Sequence, residues 1–299
     1  MPLVDRYLIV DWSAANTPKL GKDSIWICEA RRQGKSVALE TPINIPTRAQ
    51  AIEIFQNQAE QTIKMGQRLF AGFDFPFGYP AGTTSILTGT ATGTANWASL
   101  WKKLHANIDD NDHNQSNRFD LAAEWNRQKF ETPMYWGAPH QHHYDGLPHK
   151  KPVGDAFSAQ EMRIVEMVQR PAKSVWQLAY SGAVGSQAML GMARLEGVRQ
   201  ALGQACAVWP FETAFTENLI KPIILAEVYP SMFSVTTRAG EVKDAAQVRN
   251  VAALFARADI NGELLRLMSA PPILSTSSKT KVLREEGWIV GAGHAIDPV

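Results

Sequence analysis

The chain has 299 residues, of which 45% are hydrophobic and 20% are charged, and its formal net charge is +1. This length and apolar content are sufficient for one large or two small globular domains with a buried core. The near-neutral charge excludes the strong positive field on which general nucleic-acid binding relies.

Cysteine usage and the lengths of the apolar runs predict a cytoplasmic location. Cys28 and Cys206 show no metal-ligand spacing, which fits two buried thiols in a reducing compartment. The first apolar run, residues 7–10, is too short for a signal sequence. Later apolar runs fall below the roughly 20 residues that a membrane-spanning helix needs. We therefore expect no membrane association, and the sequence gives no indication of oligomeric state.

The N-terminal residues predict an antiparallel β-meander. Residues 7–10, 24–30 and 36–44 have strand character, and polar turns that contain Gly21 and Gly34 separate them. These three strands are the first elements of the predicted fold.

A helix and a fourth strand complete the N-terminal half. Thr47 and Gln50 have the spacing of a capping box, and apolar residues then recur at helical spacing as far as Gly66. Residues 68–73 form a short apolar run that ends at Asp74 and a turn rich in proline and glycine. The order β-β-β-α-β over residues 1–80 predicts half of an α/β core.

Residues 81–177 have weak periodicity and are predicted to form an irregular insertion. Helical spacing returns at residues 95–104 and 158–170, the second with Ser158 and Glu161 at capping-box spacing. Between Trp101 and Lys173 there are ten Lys or Arg and ten Asp or Glu residues. This balance argues against an electrostatic clamp for a long duplex.

The insertion is also rich in tryptophan and histidine. Its tryptophans either stack on nucleic-acid bases or, as is commoner, pack in the core. Six of the seven histidines lie between His105 and His149, which suits either a transition-metal site or a solvated loop. The tryptophans considered are Trp97, Trp101, Trp125 and Trp136, and the clustered histidines include His140, His142 and His143.

Periodic elements return in residues 178–299, which are predicted to supply the other half of the core. Residues 186–202 carry an amphipathic stripe typical of a packed helix. Residues 205–209 and 223–229 have strand character, and residues 244–258 predict a second helix. The predicted fold is therefore an α/β protein with a sheet flanked by helices and a long insertion.

Four acidic residues lie where predicted strands end or helices begin, which is where functional sites collect in α/β proteins. A carboxylate on a buried strand face costs several kcal/mol unless it is paired or bound to metal, which favours functional roles for Asp74 and Glu227. Asp11 can instead start a turn, and Asp244, with Gln247 three residues later, can cap its helix. The four are Asp11 after the first strand, Asp74 after the fourth, Glu227 in a late strand and Asp244 at a helix start.

Convergence of these carboxylates would create a site for a hard divalent cation. Mutual repulsion raises the pKa of clustered carboxyl groups until a cation neutralises them. Oxygen ligands alone favour Mg²⁺ or Mn²⁺ over zinc. Such ions activate water and stabilise the leaving oxygen in phosphodiester hydrolysis, which is the chemistry that this residue set serves best.

Four short motifs resemble those of a known family, domain of unknown function 429, which is regarded as predicted nucleases of the ribonuclease H-like superfamily. They are VDWSAA with Asp11, GFDFPFGYP with Asp74, AEVYPSMF with Glu227, and KDAAQVRNVAALFA with Asp244. The resemblance covers about 80 residues at each end of the chain. It implies a ribonuclease H-like fold, and it implies that Asp11, Asp74, Glu227 and Asp244 are catalytic ligands of Mg²⁺ or Mn²⁺.

Three further residues are predicted to contact the substrate. Ser13 lies two residues after Asp11 and lacks the glycine-flanked elbow of a nucleophilic serine. Ser186 and Gln187 follow Gly182 and Gly185 at a predicted helix start, where backbone N–H groups can hold a phosphate. The structural alternative for this segment is a simple helix entry.

The sequence thus predicts a Mg²⁺-dependent phosphodiesterase or nuclease-like hydrolase that acts on nucleotides or short single-stranded nucleic acid. One alternative is a phosphotransferase or ATPase of the actin-like kinase type, although the bulky Trp12 replaces the glycine expected in its phosphate loop. Another is a non-catalytic protein that binds a small ligand or a partner on the same core. Metal dependence separates the enzymes from the binding protein.

Overall fold

A mixed seven-stranded sheet forms the middle layer of the protein, which the computed structural model describes over residues 2–153 and 159–295. Its strands are β1 (Arg6–Asp11), β2 (Ile25–Gln33), β3 (Ser36–Leu39), β4 (Ile43–Ile45), β5 (Leu69–Phe73), β6 (Cys206–Val208) and β7 (Ile223–Glu227). The spatial order is β3-β2-β1-β5-β7-β6, and β4 pairs with β2 beside this path.

Strand pairing confirms the predicted meander. Strand β2 is antiparallel to β1 and β3, whereas β5 is parallel to both β1 and β7. The predicted third strand over residues 36–44 is instead two strands, β3 and β4. Pro42 lies in the gap between them and has no backbone N–H for a continuous ladder.

Helices cover both faces of the sheet. They are α1 (Arg48–Lys64), α2 (Thr83–Thr88), α3 (Trp97–Asn107), α4 (Arg118–Lys129), α5 (Ile164–Val168), α6 (Gly185–Leu202), α7 (Lys243–Ile260), α8 (Leu264–Leu267) and α9 (Thr276–Lys281). Thr47 caps α1 by accepting the N–H of Gln50, as predicted. Within the described residues, no helix combines the length and the apolar character that crossing a membrane requires.

Side-chain alternation along the strands divides the core between the two faces. In β1, Leu8 and Val10 belong to the core cluster that also contains Phe55 of α1 and Met189 of α6. Tyr7 and Ile9 join the opposite cluster, which is packed against α7. Every residue of β5 is buried, as expected for a central strand that is covered on both faces.

Residues 81–177 contain more regular structure than the predicted irregular insertion. Helix α3 lies close to the prediction, whereas α5 is much shorter than residues 158–170, and Ser158 lies outside the described residues. Helix α4 was not predicted, because Arg118 and Asn126 are among its buried residues and obscure the apolar pattern. Core packing accounts for three of the four tryptophans, since Trp97, Trp101 and Trp125 are buried.

Candidate functional site

Asp11 and Asp74 lie together at the carboxyl ends of the adjacent parallel strands β1 and β5. Val10 is paired with Phe73, so the two aspartates follow at the same level and on the same face of the sheet. The backbone N–H of Trp12 donates to Asp74 Oδ1 at 2.6 Å. Parallel pairing of β1 and β5 therefore brings together two carboxylates that are 63 positions apart in the sequence.

The two carboxyl groups share a hydrogen bond, and burial raises the pKa of both. Burial, followed by the charge of Asp74, raises the pKa of Asp11 well above its usual range. Burial also raises the pKa of Asp74 to about 6, although hydrogen bonds from Asp11 and from the Trp12 N–H oppose this shift. Within the described residues, neither carboxylate forms an ion pair with Lys, Arg or His. The pair is therefore an uncompensated acidic site.

Asp244 adds a third carboxylate from the first turn of α7. Its Oδ2 accepts the backbone N–H of Asp23 at 2.8 Å, which links α7 to the turn between β1 and β2. Val242 occupies the N-cap position, so the interpretation of Asp244 as a simple helix cap does not describe its contacts. The charges of Asp244 and Asp23 both contribute to the raised pKa of Asp11.

Asp23 itself was not among the residues singled out from the sequence. It lies in the polar turn after β1 with a left-handed φ of 55°, and Lys19 is 3.7 Å from its carboxylate. In the sequence, Asp23 has only the features of a residue in a polar turn, and nothing there marks it as part of a site.

Glu227 lies on the opposite face of the sheet from Asp74. It is paired with Phe73, one position before Asp74, and successive strand residues alternate between faces. Its carboxylate receives two hydrogen bonds from Arg163, at 2.7 and 2.8 Å, and one from the Phe77 N–H at 2.9 Å. The structure therefore does not bring Glu227 to the three aspartates, because the strand register turns it toward a buried arginine.

Arg163 organises this second set of acidic groups. Its Nε donates to Glu166 at 2.8 Å, and its side chain is 1% exposed. Burial alone would lower the pKa of Arg163, but the charges of Glu227 and Glu166 raise it above its usual range. Glu227 is thus neutralised by a fixed cation. Sequence reasoning missed Arg163 because it lies in the weakly periodic residues 81–177.

A cavity of about 700 Å³ opens beside the aspartates. Asp11 and Asp244 contribute to its wall, together with the three predicted substrate contacts Ser13, Ser186 and Gln187. Ser13 Oγ donates to the Asp23 carbonyl, Ser186 Oγ to the Leu178 carbonyl and Gln187 Nε2 to the Trp12 carbonyl. These side chains hold the walls of the cavity in place as well as lining it.

Two glycines allow α6 to pack closely against its neighbours beside this cavity. A Cβ atom on Gly185 would lie 2.3 Å from the Val175 carbonyl oxygen. A Cβ atom on Gly191 would lie 2.3 Å from the ring of Phe75, the residue after Asp74. The start of α6 therefore packs against the backbone at Val175, and the middle of the helix packs against the residue that follows Asp74.

A second and more apolar cavity, of about 320 Å³, shares part of its wall with the first. Asp74 and Glu227 both contribute to it, along with apolar residues such as Tyr229. Gly182 and Ala183 line both cavities, so the segment before α6 separates them. Asp74 therefore lines the more apolar cavity, whereas Asp11 lines the polar one.

The histidine-rich residues contain an aromatic cluster. His140 stacks loosely on His149 and Tyr180, with ring centroids 4.9 and 5.1 Å apart. In the parts of the chain described, no group of three or more His, Cys, Asp or Glu side chains is arranged to hold a metal ion. The three aspartates thus provide oxygen donors and negative charge but not a preformed three-ligand set.

Comparisons with protein-family models, with curated proteins and with solved structures found no match. The family resemblance of the four motifs therefore stays a prediction from the sequence.

Proposed function

We propose that the protein is a Mg²⁺- or Mn²⁺-dependent phosphodiesterase or nuclease-like hydrolase that acts on nucleotides or short single strands. The main support for this proposal is the environment of the two aspartates. Asp11 and Asp74 share a hydrogen bond beside a cavity of about 700 Å³ and have no cationic partner in the described residues. Buried carboxylates without a cation are costly, and binding a divalent cation would relieve that cost.

The donor set fits a hard divalent cation. Asp11 and Asp74 would hold the ion through carboxylate oxygens, and Asp244 is the nearby carboxylate that would complete its shell. A bound ion of this kind supplies charge stabilisation at a phosphate and an activated water for attack. Asp244 is close enough to Asp11 for its charge to raise the pKa of that carboxyl group, and its own Oδ2 accepts only a backbone N–H of the polar turn among the described residues.

The topology supports a ribonuclease H-like interpretation of the core. In the N-terminal order β-β-β-β-α-β, strand β1 lies beside β5, and the two motif acids Asp11 and Asp74 follow these strands at the same end of the sheet. Glu227 then acts as a structural residue that holds the neighbouring strand end through Arg163. We therefore assign metal binding to three of the four predicted acids.

The size and charge of the site favour a short substrate. A cavity of about 700 Å³ is within the range of small-molecule sites and accommodates one or two nucleotides. Because Trp97, Trp101 and Trp125 are buried, they are not platforms for base stacking. Tyr180, which is 49% exposed and lines the cavity, is the aromatic side chain positioned to meet a base.

The turn after β1 disfavours the kinase-like alternative. Trp12 is 1% exposed and packs on Phe75, and its backbone N–H is already bonded to Asp74. Such a turn offers no glycine loop that could wrap the phosphates of a nucleoside triphosphate. Hydrolysis of a diester is therefore the better fit.

The proposal is tested by Mn²⁺-supported cleavage of a dinucleotide, a short single strand and a duplex. We expect turnover of the first two, loss of turnover in Asp11→Asn, and wild-type turnover in Asp120→Asn, which removes the same charge from the exposed face of α4. Equal turnover in Asp11→Asn and wild type would contradict the proposal. Absence of turnover, with metal-independent binding of a nucleotide, would favour a binding protein instead.

A further inference from the structure

Arg118 is a buried cation without an acidic partner. Its side chain is 4% exposed, and no described carboxylate forms an ion pair with it. Four of its five N–H donors bond to neutral oxygens, and the remaining Nη2 hydrogen has no partner among the described residues. The four acceptors are Ser186 Oγ, Asn16 Oδ1, Ser116 Oγ and the Ala14 carbonyl.

Other buried arginines in the described chain do have carboxylate partners. Burial, followed by the charge of Arg48, lowers the pKa of Arg118 to about 10, which is the cost of leaving this cation uncompensated. An unpaired buried charge is strongly unfavourable, so an anion is expected to complete the environment. The compensated arginines are Arg6 with Glu29, Arg48 with Asp110, Arg163 with Glu227, and Arg249 with Glu241.

The N-terminus of α6 lies against the same guanidinium. Arg118 Nε donates to Ser186, the second residue of this 18-residue helix, at 2.9 Å. Val184 occupies the N-cap position and provides no side-chain cap, and the first turn contains no acidic residue, although the Gly185 N–H donates to the Gln177 carbonyl at 2.9 Å. Arg118, Ser186 and Gln187 all line the cavity that also contains Asp11.

The guanidinium is also held in a fixed orientation. Its central carbon lies 4.3 Å from the ring centroid of Phe119, and its bonds to Ala14 and Asn16 tie it to the loop that follows β1. A preorganised donor and a helix N-terminus that meet at one cavity are suited to a tetrahedral oxyanion.

We propose that Arg118 and the N-terminus of α6 form a subsite for a phosphate group of the substrate. The assignment of this phosphate to a substrate rests on the proposed hydrolase function, but anion binding at the subsite does not require the metal. Arg118 would donate its remaining Nη2 hydrogen to a phosphate oxygen, and the first turn of α6 would face the other oxygens. The subsite would hold a phosphate next to the bond that the aspartates act on.

The test measures melting temperature in EDTA, with inorganic phosphate and a nucleoside 5′-monophosphate as probes. Both should raise the melting temperature of the wild type, whereas the nucleoside without phosphate and acetate should not. Arg118→Gln should weaken the apparent affinity for both phosphates by about tenfold or more, because a charge-assisted hydrogen bond is lost. Arg127→Gln removes the same charge from an exposed site on the same helix and should retain the wild-type response.

A second pair of variants keeps the test valid if Arg118→Gln does not fold. Gln187→Glu places a carboxylate in the first turn of α6, where it favours the helix but repels phosphate. Gln200→Glu makes the same change at an exposed position near the other end of α6. Loss of the phosphate response in Gln187→Glu but not in Gln200→Glu supports the subsite.

Two results would contradict the proposed subsite. One is an equal shift in melting temperature with phosphate in wild type and Gln187→Glu. The other is a shift with acetate as large as the shift with phosphate. Asp74→Asn should retain the response in EDTA. Failure of metal binding together with a normal phosphate response would therefore refute the hydrolase proposal alone, whereas the reverse pattern would refute the subsite alone.

Discussion

Two groups of acidic side chains lie at one edge of the sheet and differ in how their charge is compensated. Glu227 and Glu166 both lie next to Arg163, which forms an ion pair with each carboxylate. Asp11 and Asp74 bond to each other and have no such cation in the described chain. Adjacent strands thus present a neutralised set of carboxylates on one face and an acidic pair on the other.

This contrast shows that burial alone does not identify a functional carboxylate. Glu227 is the more buried residue, yet its oxygens are occupied by Arg163 and by the N–H of Phe77. Asp74 retains a raised pKa because no cation offsets its burial. A missing counter-ion is therefore the better indicator of a site that binds something else.

The largest expected effect comes from removing the cation of the neutralised set. Arg163→Met leaves Glu227 and Glu166 buried without a partner and should lower the free energy of unfolding by about 3 to 5 kcal/mol. Urea denaturation measures this change. Arg127→Met, at an exposed site, should change the free energy by less than about 0.5 kcal/mol. A small effect of Arg163→Met on the free energy of unfolding would show that Glu227 and Glu166 do not depend on this cation for their compensation.

Glu227→Gln should have an intermediate effect on stability. It removes one charged partner of Arg163 while Glu166 remains, so we expect a loss of about 1.5 to 3 kcal/mol. The metal response should be that of the wild type, because Glu227 faces the other side of the sheet. Thermal melting with and without Mg²⁺ measures both quantities. If Glu227→Gln no longer responded to Mg²⁺, Glu227 would have to be counted among the metal ligands.

Mg²⁺ should stabilise the wild type by a smaller amount. At ten times its dissociation constant, an ion that binds only the folded protein adds about 1.4 kcal/mol. Asp74→Asn should remove most of this gain, whereas Asp120→Asn should not. Without metal, Asp74→Asn should melt at or above the wild-type temperature, because repulsion between the carboxylates is relieved. A variant that responds to Mg²⁺ as the wild type does would exclude Asp74 as a ligand.

The smallest expected effect is a pH dependence in the absence of metal. The folded-state pKa of Asp74 is about 6 and its ordinary value is 3.8, so between these values the folded protein binds more protons than the unfolded chain. Stability should therefore fall as pH rises through this window, by less than about 1.4 kcal/mol per pH unit. The slope should be shallower in Asp74→Asn, and saturating Mg²⁺ should reduce it in the wild type. Identical slopes in wild type and Asp74→Asn would contradict the raised pKa.

Local signals were sufficient to predict the N-terminal half of the sheet and the position of the aspartate pair. Hydrophobic runs located β1 and β5, and the cap at Thr47 located the helix that joins β4 to β5. Because a β-β-β-α-β core places its first and fourth predicted strands side by side, Asp11 and Asp74 were expected to lie close together, and β1 and β5 are indeed neighbours. The sites of these two residues could thus be inferred without knowledge of the rest of the fold.

The face of the sheet that Glu227 occupies and the role of Arg118 could be determined only from the structure. Strand character over residues 223–229 gave no register, and one step of register decides which face Glu227 occupies. Arg118 lies 68 positions from Ser186, and its significance is an absent counter-ion, which has no local sequence pattern. Long-range contacts of this kind determine which charges are compensated.

Calorimetric titration with Mg²⁺ near neutral pH shows whether the uncompensated aspartates bind a cation. We expect saturable binding to the wild type with release of protons, because burial raises the pKa of both Asp11 and Asp74 and a bound cation favours their ionised forms. Proton release is measured by repeating the titration in buffers of different ionisation enthalpy. Binding should be lost in Asp74→Asn and retained in Glu227→Gln. Absence of binding to the wild type, or equal binding to wild type and Asp74→Asn, would contradict the claim that the uncompensated aspartates form a cation site.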